Sequence, residues 1–267
     1  MFETIHDQAT GLREIFAESG LMVLPMTAVR PGMGYRTMVV NVAASLVKAG
    51  QRVVVVDTGP AQIAESLGVQ VDYELCDLLS GEREFHEVVG RSAEGIYVLK
   101  AALGIRGFID AAGDISQLFF GFRRLAQPFD VVILAGAVAE TAPMTREEDE
   151  LVMVASNDSQ ALTATYAAIK QAHTEYGKTA FRILLNRVDD AEAGYAAHLR
   201  LADTARRFLG VHVEYAGAIP TDATFAAADR ARRSVFSLEP AGEAGRSLEL
   251  LAEAIPMWRV GRYSLDM

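Results

Sequence analysis

The stretch LMVLPMTAVRPGMGYRT, residues 21–37, decides how the rest of the chain is read. Its first six residues, Leu21 to Met26, form an apolar run of strand length. A loop with two glycines, Gly32 and Gly34, follows, and a helical pattern leaves it over Thr37 to Ala49. Strand, glycine-bearing loop and helix in that order make a phosphate cradle, because loop N–H groups and the helix N-terminus point at the anion. Two glycines in such a loop suit an ordinary turn equally well, so the surroundings have to decide.

Further strand-sized runs lie at Arg52 to Asp57, Ile96 to Leu99, Val131 to Ala135, Glu150 to Ala155, Ala180 to Leu185 and Val213 to Ala216. Helical patterns alternate with them at Ile115 to Leu125, Ser159 to Glu175 and Ala191 to Leu209. The alternation predicts an α/β fold, a mostly parallel twisted sheet flanked by helices and built from right-handed crossovers. The runs are almost continuously apolar, as strands covered on both faces are. No repeat or linker interrupts the pattern. The expected organisation is a helical extension over residues 1–19, one α/β domain over residues 20–267, and a helix near its end, patterned over Ser247 to Ile255.

A chain of 267 residues that is 51% hydrophobic has ample material for a core. One cysteine, Cys76, rules out an internal disulfide framework and reads as a small buried hydrophobe rather than a nucleophile. Charges in the opening residues stand where a signal peptide needs an apolar run, so a cytoplasmic home is expected. No apolar run reaches the roughly 18 residues that span a bilayer. With 25 basic against 35 acidic residues, nucleic acid is not an expected partner, and Arg230, Arg232 and Arg233 read as a solvated helix end. The five histidines have no metal-ligand spacing, and no Ser/His/Asp set suggests itself.

Beyond the loop, the helix ending at Gly50, the strand ending at Asp57, the turn Leu67-Gly68, the run Phe129 to Leu134, the run Ile183 to Arg187 and the pair Ile219-Pro220 succeed one another in a telling order. That order resembles the MinD/ParA superfamily of P-loop ATPases over nearly the whole chain. The heptad Asp7-Gln8-Ala9-Thr10-Gly11-Leu12-Arg13 is similar to the DQAxxLR signature of its FlhG (FleN/YlxH) branch, the flagellar number regulators. The resemblance implies a phosphate loop at Gly32, Gly34, Arg36 and Thr37, a carboxylate at Asp57 and an adenine-reading Asn186. It also implies a docking helix, with Asp7, Gln8, Ala9, Leu12 and Arg13, for an FlhF-like GTPase of the signal-recognition type, and contacts with other flagellar assembly proteins. Ile5, Ala9, Leu12 and Phe16 fall at helical spacing, which would equally serve a helix packed on its own core.

Several parts of the family's engine are replaced. Aligned on Thr37, its KGGVGKT loop falls on residues 31–37, so that Arg36 stands for the phosphate-reaching lysine, Tyr35 for a glycine and Pro31 for the second lysine, with Arg30 beside it. A guanidinium is bulkier than an ammonium, and a side chain at 35 intrudes on the phosphate volume. Gly59 and Ala135 stand where the family carries the carboxylates that position water and support Mg²⁺. The expectation is a degenerate, hydrolysis-inactive site, a pseudo-ATPase, with no catalytic residue, no metal and no resident cofactor. ATP with Mg²⁺ is the ligand only if the altered loop still binds, and the alternative reading is an active MinD-type switch cycling between monomer and membrane-associated dimer. Three residue roles stay open: Asp57 as metal-site carboxylate or turn cap, Thr37 as Mg²⁺ ligand or helix start, Asn186 as adenine reader or backbone partner. Stable membrane anchoring is not expected, since Pro256 and Gly261 interrupt the C-terminal helix that family members use at the membrane, and the resemblance implies a cytoplasmic protein that can sit peripherally at the cell pole. Monomer and homodimer are equally compatible with these residues.

Overall fold

A computed structural model describes residues 21–59, 62–110, 129–238, 242–258 and 260–263. Nine strands form one sheet: β1 Leu21–Ala28, β2 Val53–Asp57, β3 Val89–Arg91, β4 Tyr97–Lys100, β5 Val131–Ala137, β6 Leu151–Ala155, β7 Ala180–Val188, β8 His212–Pro220 and β9 Gly261–Tyr263. Among the described residues the helices are α1 Tyr35–Lys48, α2 Ile63–Ser66, α3 Leu75–Leu79, α4 Phe85–Val88, α5 Ala102–Asp110, α6 Val138–Thr141, α7 Ser159–Tyr176, α8 Ala191–Leu209, α9 Ala223–Ala231 and α10 Gly242–Ala254. The sequence-predicted helices at 1–19 and 115–125 lie outside the described residues.

The strand order is β3-β4-β2-β5-β1-β6-β7-β8, parallel except for β3 on the edge and for β9, which runs antiparallel to the first residues of β1. Alternate residues of the central strands feed opposite faces. Met22, Leu24, Met26, Val53, Val55, Val131 and Ile133 pack under α1 and α10, while Leu21, Val23, Val54, Val56, Val132 and Leu134 face the other way. Burial on both faces is why these runs read as continuous apolar stretches.

Pro25 interrupts a central strand, a position proline normally avoids. On the side away from β5, β9 pairs with Leu21 to Val23 and β6 with Met26 to Ala28, so Pro25 falls where neither strand reaches. A missing donor is tolerated there. The three-residue β9 was not legible from the sequence, which suggested only a helix in this region. After α10 the chain makes a short 3₁₀ turn, Ile255–Met257, and enters the sheet as a strand.

Two buried polar clusters hold the outer half of the sheet. Arg182, on β7, makes a two-pronged pair with Glu150 at 2.6 and 2.9 Å, donates to the Tyr215 carbonyl, and lies 4.7 Å from the Trp258 ring centroid. Lys178 is fully buried, with its ammonium donating to the Thr145 carbonyl at 2.9 Å, to the Thr145 hydroxyl at 2.7 Å and to the Arg146 carbonyl. Burial lowers its pKa from 10.5 to about 8, against the opposing pull of Asp149, Glu148 and Glu147.

Candidate functional site

From β1 the chain crosses over β5 to reach β2, and from β5 it crosses over β1 to reach β6. The connections therefore leave these neighbouring strands in opposite directions. In open α/β sheets, ligands bind in the crevice beyond the carboxyl ends of strands at such a switch point. Here the crevice lies beyond Ala28 and Ala137, and the loop of residues 29–34 borders it.

The loop adopts the turns its glycines permit, with φ of +90° at Gly32 and +73° at Gly34. Gly34 is the residue before α1, and the Met38 N–H donates to its carbonyl at 3.0 Å. Helix α1 thus begins at Tyr35, two residues earlier than the sequence pattern indicated, and Thr37 sits half-buried inside its first turn. Asn41 donates to the Thr37 carbonyl and accepts from the Val235 N–H, both at 2.8 Å. The cavity beside Thr37, lined also by Ser66, Phe225 and Arg233, encloses about 10 Å³, room for a water at most.

Tyr35 and Arg36 take separate directions. The Tyr35 hydroxyl donates to the Met26 carbonyl at 2.8 Å, and the ring packs against the core on the α1 face. Burial first, then the negative charges of Asp57 and Glu140, hold the phenol well above its ordinary pKa. The Arg36 guanidinium instead lies 3.6 Å from Asp229 on α9, an exposed pair on the protein surface.

Asp57 is buried at the end of β2 with both oxygens occupied. One accepts the Gly59 N–H at 3.2 Å and the other accepts the Gln62 and Ile63 N–H groups, each at 3.1 Å. These contacts are those of an acid capping the turn into α2. Burial nevertheless raises its pKa, against the three N–H donors and the positive charge of Lys100. Thr58 ties the same turn to β5, its N–H and hydroxyl both donating to the Ala135 carbonyl, at 2.9 and 3.0 Å. Glycine at 136 makes that approach possible, since a Cβ there would come within 1.9 Å of the Thr58 hydroxyl oxygen.

Asn186 points into the loop. Its side-chain amide is buried and donates to the Met33 carbonyl at 2.9 Å, and a Cβ on Gly34 would stand 2.3 Å from it. The next residue, Arg187, has a φ of +59° and donates to the Gly32 carbonyl at 2.8 Å. The structure therefore brings Gly32, Gly34 and Asn186 together as a braced loop, with Asp57 across the crevice and Arg36 turned away from it. The roles of Thr58, Arg187 and Asp229 were not legible: each depends on a partner far along the chain. Residues 7–13 lie outside the described residues.

Elsewhere, Arg230, Arg232 and Arg233 are exposed. Cys76 is half-buried rather than buried, and burial followed by a bond to Glu74 raises its thiol pKa. Among the described residues there is no group of His, Cys, Asp or Glu that could hold a metal ion, and no helix is long and apolar enough to cross a membrane.

For ATP with Mg²⁺, the residues present do not fit. The crevice carries a phenol and two carboxylates, the guanidinium at 36 is paired outside it, and positions 59 and 135 offer no carboxylate to a metal.

Comparison with known proteins bears on the same loop. The chain is 26% identical over 244 residues to the antiactivator FleN of Pseudomonas aeruginosa, covering 89% of this chain and 87% of that one. It is 25% identical over 237 residues to the flagellum site-determining protein YlxH of Helicobacter pylori, covering 86% and 80%. In fold it is similar to MinD from the MinC:MinD cell division complex of Aquifex aeolicus, with a TM-score of 0.66 at 15% identity over 88% of this chain and 95% of the other. The septum site-determining protein MinD of Pyrococcus horikoshii, complexed with Mg-ADP, gives a TM-score of 0.63 at 21% identity over 88% and 96%. The family model described as the CobQ/CobB/MinD/ParA nucleotide binding domain matches residues 32–235, from the glycine loop to the segment that closes on Asn41, and the chain belongs to that family.

Proposed function

We propose that this chain is a regulator of flagellar number or placement of the FleN/YlxH kind, acting through protein partners with a nucleotide site that does not hydrolyse ATP. The observation that carries the silent site is Arg36: at the position of the phosphate-reaching lysine, it pairs with Asp229 at 3.6 Å on the surface. Phosphoryl transfer is catalysed mainly by positioning and charge neutralisation, and Gly59 and Ala135 supply neither. The flagellar reading is supported by the match to the flagellum site-determining protein YlxH, and the regulatory one by the match to the antiactivator FleN, each along most of the chain. In this reading the segment 1–19, with Asp7, Gln8, Ala9, Leu12 and Arg13, engages an FlhF-like GTPase of the signal-recognition type, and the protein works in the cytoplasm, peripherally at the cell pole.

Calorimetric titration with ATP and ADP, with and without Mg²⁺, tests the silent site. No heat of binding is expected. Micromolar Mg²⁺-dependent binding would overturn this reading and restore the ATPase switch, for which Asp57 and Thr37 would then be the first residues to mutate. The partner is tested by GTPase assay of an FlhF-like protein with the wild type and with Gln8→Ala. Stimulation by the wild type and its loss in the variant are expected; equal rates with both would refute the role of the segment.

A further inference from the structure

Position 35 takes the silent-site reading one step further, and the role assigned to it rests on that reading. The crevice between the carboxyl ends of β1 and β5 is where the topology provides for a ligand. In this chain a side chain already reaches into it. Tyr35, the first residue of α1, donates its hydroxyl proton to Met26 on β1, near the end of the strand, while its ring rests on the core.

We propose that the Tyr35 phenol is a permanent internal occupant of this crevice, and that it is the specificity-determining side chain that keeps nucleoside triphosphates and other polyphosphates out. Four observations support this. The hydroxyl reaches back to the Met26 carbonyl on β1, which fixes the side chain across the end of the strand. The charges facing it are the carboxylates of Asp57 and Glu140, which repel a polyphosphate and tolerate a neutral phenol. Among the nearby cations, Lys100 donates to the Val71 carbonyl, Arg187 donates to the Gly32 carbonyl, and Arg36 lies against Asp229. The lining turn is also tied down in one arrangement, by Thr58 on the Ala135 carbonyl and by the three N–H groups on Asp57. The phenol and these ties hold the site closed without any nucleotide.

The test uses the full chain and calorimetric titration with Mg²⁺-ATP and with inorganic pyrophosphate. Wild type, Arg36→Lys, Tyr35→Phe and Tyr35→Gly/Arg36→Lys are compared. The double variant should bind at least about tenfold more tightly than Arg36→Lys, the equivalent of ~1.4 kcal/mol. Tyr35→Phe should gain nothing, since its ring still fills the crevice. Circular dichroism checks folding, and if glycine at the helix start melts the protein, Tyr35→Ala/Arg36→Lys replaces it, because alanine restores helix propensity. Equal affinities of Arg36→Lys and the double variant, whether both bind or neither does, would overturn the occupant while leaving the silent site standing. Binding by the wild type would overturn both.

Discussion

Lys178 offers the sharpest test of how this interior is held. An ammonium with no exposure to water has its pKa lowered from 10.5 to about 8. Between those values the unfolded chain binds more protons than the folded one, so stability must rise with pH there, and below about 8 both states are charged and the contribution is flat. The whole difference corresponds to roughly 3 kcal/mol, of which about 2 kcal/mol accrues between about pH 7.5 and pH 9.5. The perturbation is Lys178→Met, which keeps the length of the side chain and removes the titration. Urea unfolding of both proteins at the two pH values gives the slopes. The wild type should gain about 2 kcal/mol more than the variant over that window. Working in this window keeps the phenol of Tyr35 out of the comparison, because its raised pKa affects stability only above the ordinary tyrosine value. Equal slopes for the two proteins would refute the reasoning, because they would mean that Lys178 is not buried as a group with a lowered pKa.

Three further substitutions probe the loop and the sheet. Gly34→Ala should cost about 2 to 4 kcal/mol, combining left-handed backbone strain with displacement of Asn186, and the cost should fall to about 1 kcal/mol when measured against Asn186→Ala, a cycle read by chemical denaturation. Arg182→Met should cost about 3 to 5 kcal/mol by leaving Glu150 buried without its partner, and Glu150→Gln in the same chain should recover most of it in a thermal melt. Arg36→Ala should change stability by less than about 0.5 kcal/mol, since its pair with Asp229 is exposed; a larger loss would mean that the guanidinium has a second role in the loop.

The sheet was legible because its strands are buried on both faces, so Val53 to Val56 or Val131 to Leu134 carry their assignment in composition alone. The boundaries of α8, Ala191–Leu209, were legible too as a helical pattern, and in the structure an Asp190 cap and a left-handed Gly210 set them. Short elements were not. Gly261–Tyr263 has no periodicity to read, and it becomes a strand only because β6 leaves the lower half of β1 unpaired. In the site, sequence indicated which groups stand at the loop but not where they point. Tyr35 was expected to intrude, yet its bond to Met26 depends on helix α1 starting at residue 35. Asn186 and Asp57 each had two open roles, and in the structure both meet backbone groups, Asn186 across 153 residues of chain. Contacts of that span leave no local signature.

The pairing of β9 with β1 also has a mechanical meaning. Any force applied to the segment before Leu21 is transmitted along the axis of β1. That strand is gripped by seven register pairs with β5 on one flank and by three with β6 and three with β9 on the other. Pulling lengthwise loads these ladders in shear, all at once, rather than peeling them pair by pair. A pull on β1 from its first residue is therefore resisted along both flanks of the strand together.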